Sequence, residues 1–313
     1  MTEKEIRNLD LSYLSEIQKQ ELLNVLLKCK RVFSNKPGLC NLTEHYIQLK
    51  EDFKPIRKPP YRIPHKLLSE VERQVSILLS EQKIERCVSP FAHPVVCVTK
   101  PNGEVRVCVD YRMLNSGTVS DVFPMPRIQD MLNNIAPARF ISTLDAVSGY
   151  WQIPMAPECI KMTAFVTDSG VYAWRVMPFG LKCASNTFQR VACLILEPHR
   201  SYAVCYIDDV CVKSDTWTEH LLHLNNVFNA FIAAGMTLRL SKCVFAKSKV
   251  KFLGHLVGCG EIQLLPDRVE ALKALVPPTT KKLVRSALGM FGFFRNFIPH
   301  FAEIALPFTE LTK

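Results

Sequence analysis

The stretch that most constrains the fold is 204–212, in which two apolar runs flank the adjacent acids Asp208 and Asp209. Short β-prone runs on either side of a two-residue turn are typical of a β-hairpin. The Asp-Asp tip is unusual, because such turns favour Asn-Gly or Asp-Gly, which adopt positive φ easily. Neighbouring carboxylates repel, so the pKa of one should rise unless a cation such as Mg²⁺ neutralises the pair. The alternative is a solvated turn whose Asp side chains bond their own backbone.

The chain is basic and apolar enough to bury a core. Its 313 residues carry a formal net charge of +10, and 48% of them are hydrophobic. This charge suits a polyanionic partner, although a merely soluble basic protein would share it. No apolar run approaches membrane-spanning length, so we expect no membrane partner. The twelve cysteines lack any CxxC pair, which indicates reduced, structural thiols and an intracellular protein, in the cytoplasm, the nucleus or a virus-like particle.

Apolar periodicity and turn residues predict the elements around these acids. Helices are expected over 11–31, after Pro64, near Ile128–Ile135, over Ala184–Leu196, over 218–233 and from Pro266 onward. Strands are expected at Val95–Thr99, Val105–Val109 and Phe140–Leu144, within 160–177, at 251–257 and at Ile262–Leu265. His220 and His223 stand at i, i+3 with no evident third ligand, so we expect exposed or capping histidines and no metal pair.

A third acid, Asp145, ends the strand that begins at Phe140. An acid at this position is either a cap or a metal ligand. Placed beside Asp208 and Asp209 in one sheet, it would let the three carboxylates hold two divalent ions about 3.5–4 Å apart, as phosphoryl-transfer sites do. Such chemistry needs little beyond positioning and charge neutralisation.

Three further residues would suit a nucleotide triphosphate at such a site. Lys100 and Arg106 could neutralise its phosphates, although ordinary surface charge on an amphipathic hairpin is the favoured explanation for these two residues taken alone. Tyr150, five residues after Asp145, would place an aromatic ring near the sugar.

Six motifs in one order resemble the reverse transcriptase region of gypsy-type LTR retrotransposon polyproteins. They are VRVCVDYRMLN at 105–115, TLDAVSGYWQI at 143–153, MPFGLK at 177–182, TFQR at 187–190, YIDD at 206–209 and FLGH at 252–255. A single Tyr-x-Asp-Asp motif is weak evidence, whereas six ordered motifs, spread over the chain from about residue 20 onward, are specific.

The resemblance implies a right-hand polymerase of α+β class, with an antiparallel palm sheet backed by helices. The implied divisions are an N-terminal extension at 1–50, fingers at 51–120 and 153–183, a palm at 121–152 and 184–259, and a thumb at 260–313. The implied activity is RNA-directed DNA polymerisation. Deoxynucleoside triphosphates would be added to a primer on an RNA or DNA template, with two Mg²⁺ or Mn²⁺ ions.

The resemblance also implies roles for individual residues. The metal-binding catalytic acids are Asp145, Asp208 and Asp209. The nucleotide-binding residues are Lys100, Arg106, Ala146, Tyr150, Phe179 and Gly180, with Tyr150 as the gate that excludes ribonucleotides. The primer grip is Phe252, Leu253 and Gly254.

The chain departs from the family at several positions near the implied nucleotide floor. Cys183 and Ser185 stand where the family usually has Asn and Pro, and Met162 replaces a usual Lys. The family's polyproteins also carry protease, RNase H and integrase, so we expect a polymerase core from a longer polyprotein. The alternative is a catalytically silent relic that binds nucleic acid.

Overall fold

The chain forms two compact units, Met1–Gln263 and Leu264–Lys313. The computed structural model describes residues 3–99, 103–273 and 275–312. Lys100, one of the predicted nucleotide-binding residues, therefore lies outside the described residues. None of the helices within these ranges has the length and apolar character that a bilayer-spanning helix needs.

Helices occur along the whole of the described chain, and side-chain caps begin several of them. Ser15 and Thr216 each start a helix with a capping box, in which Gln18 and Glu219 bond back to the cap. The α-helices are α1 (Glu3–Arg7), α2 (Glu16–Lys28), α3 (His65–Ser80), α4 (Arg112–Gly117), α5 (Ile128–Ile135), α6 (Pro157–Ile160), α7 (Ala184–Leu196), α8 (Trp217–Ala233), α9 (Pro266–Lys273), α10 (Lys281–Phe293) and α11 (Phe301–Glu310).

The strands form three sheets in the described residues. They are β1 (Ile84–Arg86), β2 (His93–Thr99), β3 (Val105–Val109), β4 (Phe140–Asp145), β5 (Phe165–Thr167), β6 (Gly170–Trp174), β7 (Ala203–Tyr206), β8 (Asp209–Ser214), β9 (Val244–Lys247), β10 (Lys249–Phe252), β11 (His255–Gly258) and β12 (Glu261–Leu264). The sheet orders are β1-β6-β5-β2-β3, β7-β8-β4-β9 and β10-β11-β12. Every pairing in the four-stranded sheet is antiparallel.

The four-stranded sheet is covered on both faces, which is why Val210, Cys211 and Val212 in the middle of β8 are all apolar. Val210 and Val212 belong to the large core that includes residues of α7 and α8. Cys211, which points the other way, joins a second core with Leu132 of α5 and Val250 of β10. Helices therefore back an antiparallel sheet in an α+β fold, as expected from the sequence.

Two turns differ from the sequence-based expectation. The stretch predicted as one strand at 251–257 is a hairpin, because Leu253 and Gly254 both take positive φ and reverse the chain between β10 and β11. In the central hairpin Tyr206 pairs with Asp209, so the two turn residues are Ile207 and Asp208 rather than the two aspartates.

The prediction of exposed or capping histidines is wrong for His220. Its side chain is fully buried, and its two ring nitrogens bond the hydroxyl groups of Ser142 and Ser214. Burial lowers the pKa of His220 to about 3, so the ring is neutral at physiological pH. The two serines lie on neighbouring strands, β4 and β8, which the i, i+3 spacing of the histidines does not reveal.

Candidate active site

Asp145 and Asp209 are direct cross-strand partners at the end of the central sheet. Strand β4 pairs with β8 in a register that runs from Phe140 opposite Ser214 to Asp145 opposite Asp209. Asp208 precedes Asp209 in the turn, and a Cβ atom on Gly149 would lie only 3.3 Å from the Cβ atom of Asp208. The three predicted acids therefore meet at one edge of the sheet.

A buried glutamine holds the acid-bearing turn. Ile207 has a φ of 55°, an unfavourable left-handed conformation for a β-branched residue. Its backbone N–H donates to Gln189 Oε1 at 2.6 Å, and Gln189 Nε2 donates to the carbonyl of Cys205 at 3.0 Å. Gln189 is fully buried on α7, so both ends of its amide are used where water cannot replace them.

A lysine partly neutralises the acid cluster. Lys242 Nζ lies 3.1 Å from Asp145 Oδ2, and the backbone N–H of Arg239 donates to the Asp145 carbonyl at 2.8 Å. The pKa of Asp209 is raised, first because surrounding protein removes part of its hydration and then because the charges of Asp208 and Asp145 repel it. Lys242 acts in the opposite direction on Asp209.

A cleft of about 1150 Å³ lies beside these acids. It brings together predicted catalytic and nucleotide-binding residues from separate parts of the chain, namely Arg106, Asp145, Ala146, Phe179, Gly180 and Asp208. Lys242 and Arg239 also line it. The volume of the cleft is sufficient for a bound nucleotide, since small-molecule sites commonly measure about 300–1,000 Å³.

Arg106 is exposed at this cleft, on β3 opposite Val98 of β2. Among the described residues it has neither a hydrogen-bond nor a salt-bridge partner, unlike Arg112, which forms a bidentate pair with Asp110. A free guanidinium on a cleft wall can bind a phosphate without first breaking an internal ion pair.

The predicted nucleotide floor is an aromatic cluster fixed by a glycine turn. The ring of Tyr150 lies 5.0 Å from that of Phe179 and 5.9 Å from that of Phe188. Gly180 has a φ of 95°, and its carbonyl accepts a hydrogen bond from Asn115 Nδ2 at 2.8 Å. Asn115 belongs to the motif at 105–115, so this bond joins that motif to the one at 177–182.

The predicted primer-grip residues lie apart from this cleft. Phe252 is buried in the second core, and Leu253 and Gly254 form the turn between β10 and β11. Two consecutive positive φ values are typical of the tight turns that match strand twist, and Gly254 supplies one of them without strain. None of the three residues lines the cleft in the described structure.

The residues at the edge of the sheet suit a hard divalent cation. Carboxylate oxygens are the ligands Mg²⁺ prefers, and mutual repulsion of three acids is the electrostatic condition that such an ion relieves. Within the described ranges, no three His, Cys, Asp or Glu side chains lie close enough together to hold a metal ion as they stand. Asp145 instead forms an ion pair with Lys242. A cation bound here would compete with Lys242 for the negative charge of Asp145.

The sequence of the chain is similar to those of known proteins. A profile of the family described as reverse transcriptase (RNA-dependent DNA polymerase) matches residues 98–257, just over half of the chain. The Pol polyprotein of the Drosophila melanogaster transposon 297 is 34% identical over 325 residues, which cover 99% of this chain and 31% of the relative. The polyprotein of the transposon gypsy is 32% identical over 304 residues, covering 94% and 29%. The chain thus spans about a third of the length of these curated relatives.

Solved structures agree with the sequence comparison. A foamy viral protease-reverse transcriptase in complex with double-stranded DNA superposes with a TM-score of 0.88 at 26% identity, covering 99% of this chain and 54% of that one. The same kind of enzyme in complex with an RNA/DNA hybrid gives 0.85 at 25% identity, covering 99% and 42%. Reverse transcriptases in general depend on divalent metal ions. With the α+β architecture and the converging acids, these matches show that the chain belongs to the reverse transcriptase (RNA-dependent DNA polymerase) family.

Proposed function

We propose that this chain is an RNA-directed DNA polymerase that adds deoxynucleotides to a primer, with Asp145, Asp208 and Asp209 as its catalytic acids. The observation that carries the proposal is the direct pairing of Asp145 with Asp209, at a place where Asp145 and Asp208 line the cleft. Phosphoryl transfer requires positioning and charge neutralisation, which divalent ions held by this cluster would provide.

The three acids would hold two divalent ions, Mg²⁺ or Mn²⁺. When bound, the ions would supply activation of the attacking primer hydroxyl and stabilisation of the leaving pyrophosphate. The chain's own contribution is to hold the carboxylates in place and to offset part of their mutual repulsion. Lys242 favours the charged form of Asp209, and Gln189 fixes the turn that presents Asp208.

The incoming deoxynucleoside triphosphate would lie in the cleft. Arg106 and Lys100 would bind its phosphates, and Phe179 and Gly180 would form the floor beneath it. Tyr150 would stand at the sugar and clash with a 2′-hydroxyl, since its ring is packed against Phe179. The carbonyl of Ala146, next to Asp145, would add an oxygen ligand.

The template and primer would bind along the same unit of the chain. The net charge of +10 supports a polyanionic partner, and the foamy viral enzymes are recorded with double-stranded DNA and with an RNA/DNA hybrid. Phe252, Leu253 and Gly254 would grip the primer end.

The subdomain roles follow as part of the proposal. The five-stranded sheet falls within the stretches assigned to the fingers, and the four-stranded sheet within those assigned to the palm. β12 extends the three-stranded sheet past residue 260, so the thumb would begin with α9. Polymerisation uses cellular nucleotides, which supports an intracellular site of action.

Primer extension on an RNA template with Mg²⁺ or Mn²⁺ tests the proposal. The unmutated chain should extend the primer, and Asp208→Asn should abolish extension while primer-template binding is retained. Binding without extension by the unmutated chain would instead identify a catalytically silent relic, for which the substitutions at Cys183 and Ser185 are the sequence argument.

A further inference from the structure

We propose that Ser185 is a positioning residue for sugar discrimination, because its hydroxyl fixes the tip of the Tyr150 ring. The inference rests on the proposed function, in which Tyr150 is the gate against ribonucleotides. Ser185 stands where the family usually has Pro.

The contact joins two elements that are distant in sequence. Tyr150 lies in the 3-10 turn Gly149–Gln152 after the Asp145 strand, and Ser185 lies in the first turn of α7. Their hydroxyl oxygens are 2.7 Å apart, a short O–H···O hydrogen bond. In the part of the chain that the structure describes, neither hydroxyl has another hydrogen-bond partner. The bond therefore accounts for the whole polar anchoring of the Tyr150 side chain.

Apolar packing alone leaves the tip of the ring free to shift. Phe179 and Phe188 contact the ring at interplanar angles of 30° and 44°, so neither forms a close parallel stack with it. Tyr150 is only half-buried. A steric gate acts through the position of the ring edge, and displacements of about 1 Å at an active site change rates strongly. The bond to Ser185 supplies the missing restraint.

The hydroxyl of Tyr150 remains protonated, as this arrangement requires. Burial raises its pKa, and the nearby negative charge of Asp208 raises it further, while the bond to Ser185 acts in the opposite direction. A neutral phenol can donate to Ser185 or accept from it. The restraint therefore persists across the pH range in which the enzyme would work.

Proline at this position would lack the hydroxyl but would fit the backbone. Ser185 is the second residue of α7, and proline is tolerated in the first turn of a helix, where the N–H has no intrahelical partner. Ser185→Pro and Ser185→Ala therefore remove the contact by different routes, one of which restores the usual family residue. Ser185→Thr keeps a hydroxyl and serves as the conservative rescue.

The test measures kcat/KM for a matched deoxynucleotide and the corresponding ribonucleotide, and takes their ratio as the selectivity. Ser185→Ala and Ser185→Pro should each lower the selectivity about three- to tenfold, the range expected for one net hydrogen bond. Ser185→Thr should stay within about twofold of the unmutated chain by the same reasoning. Asn186→Ala, the matched control, removes the neighbouring side-chain bond to the Asp121 carbonyl and should leave the ratio unchanged.

A double-mutant cycle makes the test specific to the contact. Tyr150→Phe deletes only the other hydroxyl, so it should reproduce the Ser185→Ala effect, and the double variant should be no worse than either single one. Additive losses, or unchanged selectivity in both Ser185→Ala and Ser185→Pro, would overturn the inference while leaving the polymerase assignment in place. Failure of the unmutated chain to extend any primer would refute the proposed function instead.

A second readout does not depend on activity. In protein labelled with 3-fluorotyrosine, the fluorine resonance of Tyr150 is the one that is lost in Tyr150→Phe. This resonance should shift or broaden in Ser185→Ala. It should not change in Asn186→Ala. A resonance identical in all backgrounds would show that Ser185 does not restrain the ring.

Discussion

Lys242 Nζ lies 3.1 Å from Asp145 Oδ2, so an ammonium group is paired with one of the carboxylates proposed to bind a metal ion. We predict that Lys242→Ala lowers the unfolding temperature of the metal-free protein and that Mg²⁺ restores most of the loss. The lysine side chain is 56% exposed, so the effect should stay below about 1 kcal/mol. Thermal unfolding in EDTA and in Mg²⁺ measures it.

Lys249→Ala is the matched control for this experiment. It removes a comparable ion pair, to Glu261 at 2.8 Å, on the separate three-stranded sheet. Its effect on the unfolding temperature should be the same with and without Mg²⁺. If Lys242→Ala also proves insensitive to Mg²⁺, the ammonium and the ion do not share Asp145.

The raised pKa of Asp209 predicts a pH-dependent affinity for Mg²⁺. Because the folded-state pKa exceeds the unfolded one, the folded protein takes up a proton first as the pH falls. In the metal-free protein, the contribution of Asp209 to stability is therefore most favourable at low pH and decreases as the pH rises through the raised pKa. Mg²⁺ competes with that proton for Asp209. As the pH is lowered, the affinity of the protein for Mg²⁺ should therefore begin to fall at a higher pH than it would if Asp209 had the pKa of an ordinary aspartate.

Asp209→Asn separates the charge of this group from its shape. In the absence of metal, the variant should unfold at a higher temperature than the unmutated chain at pH 7, because a repelled charge is gone. The shift of unfolding temperature on adding Mg²⁺ should disappear. A less stable metal-free variant would contradict the proposed repulsion among the three acids.

Gln189 supports the strained turn that carries Asp208, so its loss should affect stability and catalysis together. Gln189→Ala leaves the Ile207 N–H and the Cys205 carbonyl without their partner, and we expect about 2 kcal/mol lower unfolding free energy. We also expect kcat to fall much more than KM rises. Denaturant unfolding and steady-state extension measure the two effects.

The control for Gln189 is a second substitution in the turn itself. Ile207→Gly removes the cost of positive φ, so in the Gln189→Ala background it should recover part of kcat. If the double variant is as slow as Gln189→Ala alone, turn strain is not what Gln189 opposes.

Local sequence patterns predicted many of the helices and strands and the identity of the three acids. They did not predict which strands pair when those strands are far apart in the sequence. Helices α5 and α7 have the predicted bounds, because apolar periodicity and flanking breakers define both ends. The pairing of Asp145 with Asp209 joins residues 64 positions apart, and only the chemistry of a shared metal site and the family resemblance suggested it. No local pattern assigns a partner across such a distance.

The same limit explains the residues that the sequence reading missed. Lys242 reads as one basic residue among 39 lysines and arginines. Gln189 carried a signal, since it stands in the TFQR motif at 187–190, but its partners lie in β7 and in the turn that follows it. Ser185 was noticed only as a departure from the family, and the contact with Tyr150 gives that departure a physical meaning.

Arg106 offers a final test of the nucleotide site, because the described structure gives it no internal partner. Arg106→Ala should leave the unfolding free energy within about 0.5 kcal/mol of the unmutated value, as for most exposed substitutions. It should raise KM for the triphosphate far more than it weakens primer-template binding. Arg200→Ala removes the same charge from an exposed pair with Glu197 outside the cleft, and should leave KM unchanged. Equal losses of triphosphate and template affinity in Arg106→Ala would assign this arginine to the nucleic-acid backbone instead.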